Sequence, residues 1–223
     1  MEATRRPRVK VCCIASAAEA WMAVRAGAAA VGLVSEMPSG PGVIPEEEIA
    51  RIAVEVPPPV ATFLLTSLQE VSAVVDQQRR TRASTVQVCD RLTTGSLGEL
   101  RQAMPGIGLV QVIHVEGPEA VGEALQAAPF VDAILLDSGR PSRPVKELGG
   151  TGRRHDWSVS RRIREALPVP VFLAGGLNPD NLAEAVEAVG PFALDVCSGV
   201  RSNGALDPAK LRRFFESVAS LPS

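Results

Sequence analysis

The chain has 223 residues, 46% of them hydrophobic, and a formal net charge of −2. Length and apolar content suit one sizeable core, and the balanced charge, with no basic run longer than pairs such as Arg5-Arg6 and Arg79-Arg80, argues against a nucleic-acid partner. No apolar run approaches the ~18 residues of a membrane span and no signal-type segment follows the charged N-terminus, so a cytoplasmic protein is expected.

Short β-branched runs then alternate with segments of helical period. Residues 9–14 read as a strand and 17–26 as a helix, with Ser16 as N-cap, Glu19 at capping-box spacing and Gly27 at the C-cap position. A strand over 29–35 leads to a helix over 45–54 with acids in its first turn. The alternation repeats as strands 60–65, 85–89 and 108–114 and helices 68–78, 96–103 and 118–127. A sixth strand, 132–137, opens into a polar loop rich in glycine and proline, 138–154, before a helix over 158–166. Strands 169–173 and 193–197 and helices 178–189 and 208–218 complete the series.

Eight strand–helix units is the number that a closed (β/α)8 TIM barrel needs, and strands apolar throughout suit a parallel sheet covered on both faces. The rival is an open doubly wound sheet, but Cys12-Cys13-Ile14-Ala15 after the first strand has no glycine and so no dinucleotide fingerprint. No linker or composition break interrupts the chain, so one barrel domain over residues 1–223 is expected. Four cysteines, two of them adjacent, fit neither a disulfide framework nor the spacing of a zinc site, and no metal site is expected.

Barrel enzymes carry their chemistry at the C-terminal ends of the strands. Cys12 ends the first strand and Asp137 the sixth. A thiol poised by a nearby positive charge serves as a base, and a carboxyl closing an apolar strand is costly to bury without purpose. Each also has a plain alternative: free cysteines mostly pack, and a loop-start aspartate caps backbone N–H groups. Cys13, on the opposite face of a regular strand, is expected to pack behind the barrel. Asp195, inside the eighth strand, fits either an orienting role or a salt bridge. Gly175-Gly176 after the seventh strand and Ser198-Gly199 after the eighth stand where barrels recurrently bind phosphate, and either turn alone is ordinary punctuation. Gly149-Gly150-Thr151-Gly152 in the sixth loop is expected to form a substrate loop, as a lid or as a tight turn. His114 ends the fifth strand, with a structural role favoured over catalysis, and His155 reads as solvated. Arg140 and Arg143 are candidates to meet an anionic substrate.

With these residues in place, the chain resembles the phosphoribosylanthranilate isomerase family of tryptophan biosynthesis, most strongly from Asp132 onward. Lys10-Val11-Cys12 is similar to the family's opening Lys-Ile-Cys, and Leu135-Leu136-Asp137-Ser138 to its general-acid segment. Gly149-Gly150-Thr151-Gly152 with Asp156-Trp157, the segment 173–181, and Asp195-Val196-Cys197-Ser198-Gly199-Val200 resemble its later motifs. The resemblance implies an aldose–ketose isomerase running an Amadori rearrangement, with Cys12 as general base, Asp137 as general acid, and no metal or cofactor. The implied partner is a small-molecule phosphosugar, with the chain a monomer or homodimer.

Three positions depart from the pattern. Cys13 replaces a glycine, Gly42 an arginine that meets the anthranilate carboxylate, and Cys89 a histidine. A glycine cannot supply a guanidinium's bidentate grip on a carboxylate. Weak or absent activity on phosphoribosylanthranilate is therefore expected, with Arg140 or Arg143 as candidates for a compensating cation. The alternatives are a paralogue isomerising a different phosphosugar and a non-catalytic phosphosugar-binding barrel.

Overall fold

A computed structural model describes residues 6–221. Eight parallel strands close into a barrel in sequential order, β1 pairing with both β2 and β8. They are β1 (Arg8–Val11), β2 (Ala30–Val34), β3 (Ala61–Thr66), β4 (Thr85–Val88), β5 (Gly108–His114), β6 (Ala133–Asp137), β7 (Val171–Leu173) and β8 (Ala193–Val196). The helices between them are α1 (Ala17–Ala26), α2 (Glu46–Glu55), α3 (Val71–Thr81), α4 (Leu97–Ala103), α5 (Ala120–Ala127), α6 (Trp157–Ala166) and α7 (Leu182–Val189). After β8 come a 3-10 turn (Ser198–Val200), a ribbon of β9 (Arg201–Ser202) and β10 (Ala205–Leu206), and α8 (Pro208–Ala219).

Strand periodicity sorts the side chains into two cores. Val9 and Val11, Val31 and Leu33, Ile134 and Leu136, and Leu194 and Val196 face outward and pack with the helices. Their neighbours face inward: Ala30 and Val34, Phe63 and Leu65, Val110 and Val112, Ala133 and Leu135 fill the barrel. The same alternation carries Lys10, Gln87, Asp137 and Asp195 to the inside, each buried. Polar groups in so apolar an interior need partners or a task.

Helix boundaries follow their caps. Ser16 accepts from Glu19 N–H at 3.2 Å, and Gly27 closes α1 in the left-handed region at φ 104. Asp156 caps α6 by accepting from Ser158 N–H at 2.8 Å. The helix expected from 178 begins at Leu182 instead. Asn178 and Asn181 build a side-chain-bonded turn first: Asn181 accepts from Asn178 N–H at 2.9 Å and Asn178 from Asp180 N–H at 2.9 Å. No helix among the described residues is long and apolar enough to cross a membrane.

Candidate active site

One pocket, with about 700 Å³ of empty space, opens at the C-terminal ends of the strands. Cys12, Asp137, Gly149, Gly150, Thr151, Gly152, Gly175, Gly176 and Ser198 all line it. Gly199 follows directly in the 3-10 turn. The order along the chain therefore brings the thiol, the carboxyl and the glycine turns to one mouth.

Cys12 continues β1, its N–H donating to Val196 O at 2.8 Å. Beneath it lies Lys10, two residues back on the same face and fully buried. The Lys10 ammonium is 2.7 Å from Asp195 Oδ2 and 3.6 Å from Cys12 Sγ. Burial works to neutralise this lysine, but the charges of Asp195 and Cys12 outweigh it and push its pKa above the usual value. A lasting positive charge thus faces the Cys12 sulfur. Asp195 is the salt-bridge partner; its other oxygen, Oδ1, is buried without a hydrogen-bond partner among the described residues, as is Gln87 Oε1. Both residues line the pocket.

Asp137 closes β6 inside the mouth. Burial pushes its pKa up, opposed by the Ser138 N–H, which donates to Oδ1 at 2.7 Å, and by the nearby His114. Oδ2 faces Gly149, where an added Cβ would sit 2.6 Å away; with φ at +135, only glycine lets the loop pass over the carboxyl.

The sixth loop is tied down. Arg140 and Glu147 pair as an antiparallel bridge, Ser138 and Thr151 hydroxyls meet at 2.7 Å, and Ser39 Oγ donates to Lys146 O at 2.6 Å. Lys146 reaches Asp90 Oδ2 at 2.5 Å. Arg143 pairs with Glu147 at 2.9 Å and lines a separate groove beside the mouth, so neither it nor Arg140 lines the main pocket.

The turns after β7 and β8 touch: a Cβ on Gly199 would lie 2.1 Å from Leu177 O. Hydrogen bonding in the 3-10 turn begins with Val200 N–H to Cys197 O at 3.2 Å, which leaves the N–H groups of Ser198 and Gly199 without a partner inside the turn. Such free amides at a helical N-terminus form an anion cradle.

Two expectations fail. Cys13 does not pack behind the barrel. Its φ of 62 breaks the strand's alternation and swings the thiol into the pocket, with Sγ 2.8 Å from Cys197 Sγ. His155 is not solvated: Nε2 bonds Ser160 Oγ at 2.7 Å, and burial lowers its pKa to about 4. His114 bonds Cys89 O at 2.9 Å, outside the pocket. Cys89 does line it, its thiol pushed up to about 12 by burial. Lys10 and Cys197 are site residues that motif reading left without a role. The signal for Lys10 was its spacing, since residues two apart on a strand share a face.

Residues 9–217 match the model of the N-(5'-phosphoribosyl)anthranilate isomerase family. The chain belongs to that family. It is 35% identical to the isomerase of Methanocella arvoryzae, over 95% of this chain and 97% of that protein. It is 36% identical to that of Haloferax volcanii, over 95% and 92%. Among solved structures, the Thermotoga maritima isomerase aligns with a TM-score of 0.80 at 31% identity, covering 96% of this chain and all of that one (100%). An isomerase in complex with reduced 1-(o-carboxyphenylamino)-1-deoxyribulose 5-phosphate aligns at 0.78 and 29% identity, with the same coverage, 96% and 100%.

Proposed function

We propose that this chain isomerises N-(5'-phosphoribosyl)anthranilate by an Amadori rearrangement, as a step of tryptophan biosynthesis, and works as one barrel domain. The observation that carries the reading is the convergence of Cys12 and Asp137 on one pocket whose far wall is the pair of turns holding Gly175, Gly176, Ser198 and Gly199. The phosphate binds the backbone N–H groups of those turns, which fixes the ribose across the mouth. Asp195 Oδ1 and Gln87 Oε1 face inward as acceptors for its hydroxyls.

Asp137 acts first. Burial raises its pKa and so favours the protonated carboxyl, whose proton passes to the ribose ring oxygen as the ring opens to a Schiff base. Cys12, as thiolate, then removes the C2 proton. The Lys10 ammonium beside it balances the negative sulfur before the transfer. The resulting enolamine tautomerises to the ketone. The anthranilate ring rests against Met37, Leu65 and Leu148, and the loop Gly149-Gly150-Thr151-Gly152 covers the opened sugar. The partner is a small phosphosugar; a monomer and a homodimer are both compatible with the site, which is formed within one chain. Cytoplasmic location follows from the proposed pathway.

Rescue of a tryptophan auxotroph lacking this isomerase tests the reading. Growth with the wild-type chain and none with Asp137→Asn supports it. Failure of a well-expressed wild-type chain to rescue favours a different phosphosugar, a reading that the absence of any cationic side chain from the pocket lining among the described residues also fits.

A further inference from the structure

The proposed reaction uses Cys12 and leaves the other pocket thiols, Cys13, Cys89 and Cys197, without a task. Cys13 and Cys197 meet where β1 and β8 run out side by side. Their sulfurs are 2.8 Å apart, and a covalent S–S bond of about 2.05 Å needs less than an ångström of further approach. The backbones are already neighbours: Val11 and Val196 are register partners, and Cys12 N–H holds Val196 O. Adjacent strands lie ~4.8 Å apart, inside the ~4.4–6.8 Å that disulfides span between Cα atoms. Both cysteines line the open pocket, Cys13 buried and Cys197 partly exposed.

The two thiols are also unequal. The Cys13 contact, aided by the Arg201 guanidinium, holds Cys197 below the usual thiol range against the effect of burial. The same contact, with that of Cys12, and burial drive Cys13 upward. A partly exposed thiol biased toward thiolate beside a buried one biased toward the protonated form is the arrangement of an attacking and a resolving cysteine.

We propose that Cys13 and Cys197 form an oxidation site for hydroperoxides, converted to a disulfide in the wall of the barrel mouth. The Cys197 thiolate attacks one peroxide oxygen and the O–O bond breaks. The leaving oxygen takes a proton from water as an alcohol or, for hydrogen peroxide, as water. Cys197 is then a sulfenic acid. The Cys13 sulfur attacks it, the S–O bond breaks, and the departing hydroxide takes the Cys13 thiol proton and leaves as water. Two thiols lose two electrons and the hydroperoxide gains them. The new bond ties the residue after Cys12 to the residue before Ser198, so the approach it needs, under an ångström, is taken up directly beside the proposed base and the first phosphate amide.

Peptide mapping of the purified full-length chain after hydrogen peroxide and alkylation tests the site. Its readout is a covalent bond, so it does not depend on the isomerase reading. The expected result is a Cys13–Cys197 cross-linked peptide that is lost on dithiothreitol and absent in Cys197→Ser. Cys13→Gly, with a residue at home at φ 62, is expected to stop at a Cys197 sulfenic acid that dimedone traps. Turnover of phosphoribosylanthranilate falls on the order of 10²-fold in the oxidised wild type and returns on reduction. Full alkylation of both thiols after peroxide, or a cross-link through Cys12 in their place, overturns the proposal.

Discussion

Cys13 lies across Gly42. A Cβ added at Gly42 would sit 2.5 Å from the Cys13 Cβ and 3.1 Å from its Sγ. Cys13 itself occupies the left-handed region at φ 62, where glycine is at home, and Gly42 does so at φ 81. The two departures from the family pattern, glycine to Cys13 and arginine to Gly42, therefore fill one volume between them. With Cys13 present, no side chain fits at 42.

Gly42→Arg alone is expected to lose stability. A non-glycine residue in the left-handed region costs roughly 1–2 kcal/mol and overpacking about 1–3 kcal/mol more. Cys13→Gly removes the Cβ and Sγ contacts and leaves only the backbone Cα, 2.9 Å from a Cβ at 42, to shift. The double variant is then expected to lower KM for phosphoribosylanthranilate about tenfold or more against Cys13→Gly, as a charge-assisted hydrogen bond worth ~1.5–3 kcal/mol returns. Steady-state kinetics on the four proteins of this cycle check it. An equal gain from Gly42→Arg alone contradicts it.

Lys10→Met is expected to cost about 3–5 kcal/mol, because it strands the buried Asp195 charge. Lys10→Met with Asp195→Leu is expected to recover most of that stability and none of the turnover, since the ammonium facing Cys12 stays missing. Urea denaturation beside kinetics separates the two effects. Recovered activity in the double variant removes Lys10 from the chemistry.

His155 sets an acid limit. Its pKa, lowered from 6.5 to about 4 by burial, makes the folded state bind fewer protons than the unfolded chain below pH ~6.5. Stability from the neutral imidazole is complete above that value. It is lost as pH falls from about 6.5 toward 4, by an amount on the order of 2–3 kcal/mol. Urea midpoints at pH 7.5 and 5 for the wild type and His155→Gln measure it, and the variant is expected to show a smaller drop.

Phosphate is expected to bind at the turns holding Gly176 and Ser198, and Gly199→Ala to weaken it, since its Cβ would collide with Leu177 O. Crystals soaked in phosphate with these turns empty and density elsewhere contradict the assignment.

Much of this was legible in the sequence because strand period and helix caps are local. Ser16 and Gly27 marked both ends of α1, and their places at strand ends put Cys12 and Asp137 at one mouth. Cys13 was misread because strand alternation was assumed one residue too far. A cysteine standing where the family has glycine was the available sign of a left-handed residue. His155 looked solvated from its polar neighbours, but its burial comes from β7's loop folding over it, with Gly175 beside its ring. The Lys10–Asp195 and Cys13–Cys197 contacts join β1 to β8 across nearly the whole chain, and no local pattern announces such pairs.

Steady-state turnover of phosphoribosylanthranilate by the wild type beside Cys12→Ser and Asp137→Asn bears most directly on the proposed chemistry. A positioned acid or base contributes about 10²–10⁴-fold. The expected result is measurable wild-type turnover and a loss of that size in each variant, with unchanged circular dichroism and unchanged phosphate affinity. A near-normal rate in either variant, or no turnover by a folded, reduced wild-type chain, contradicts it.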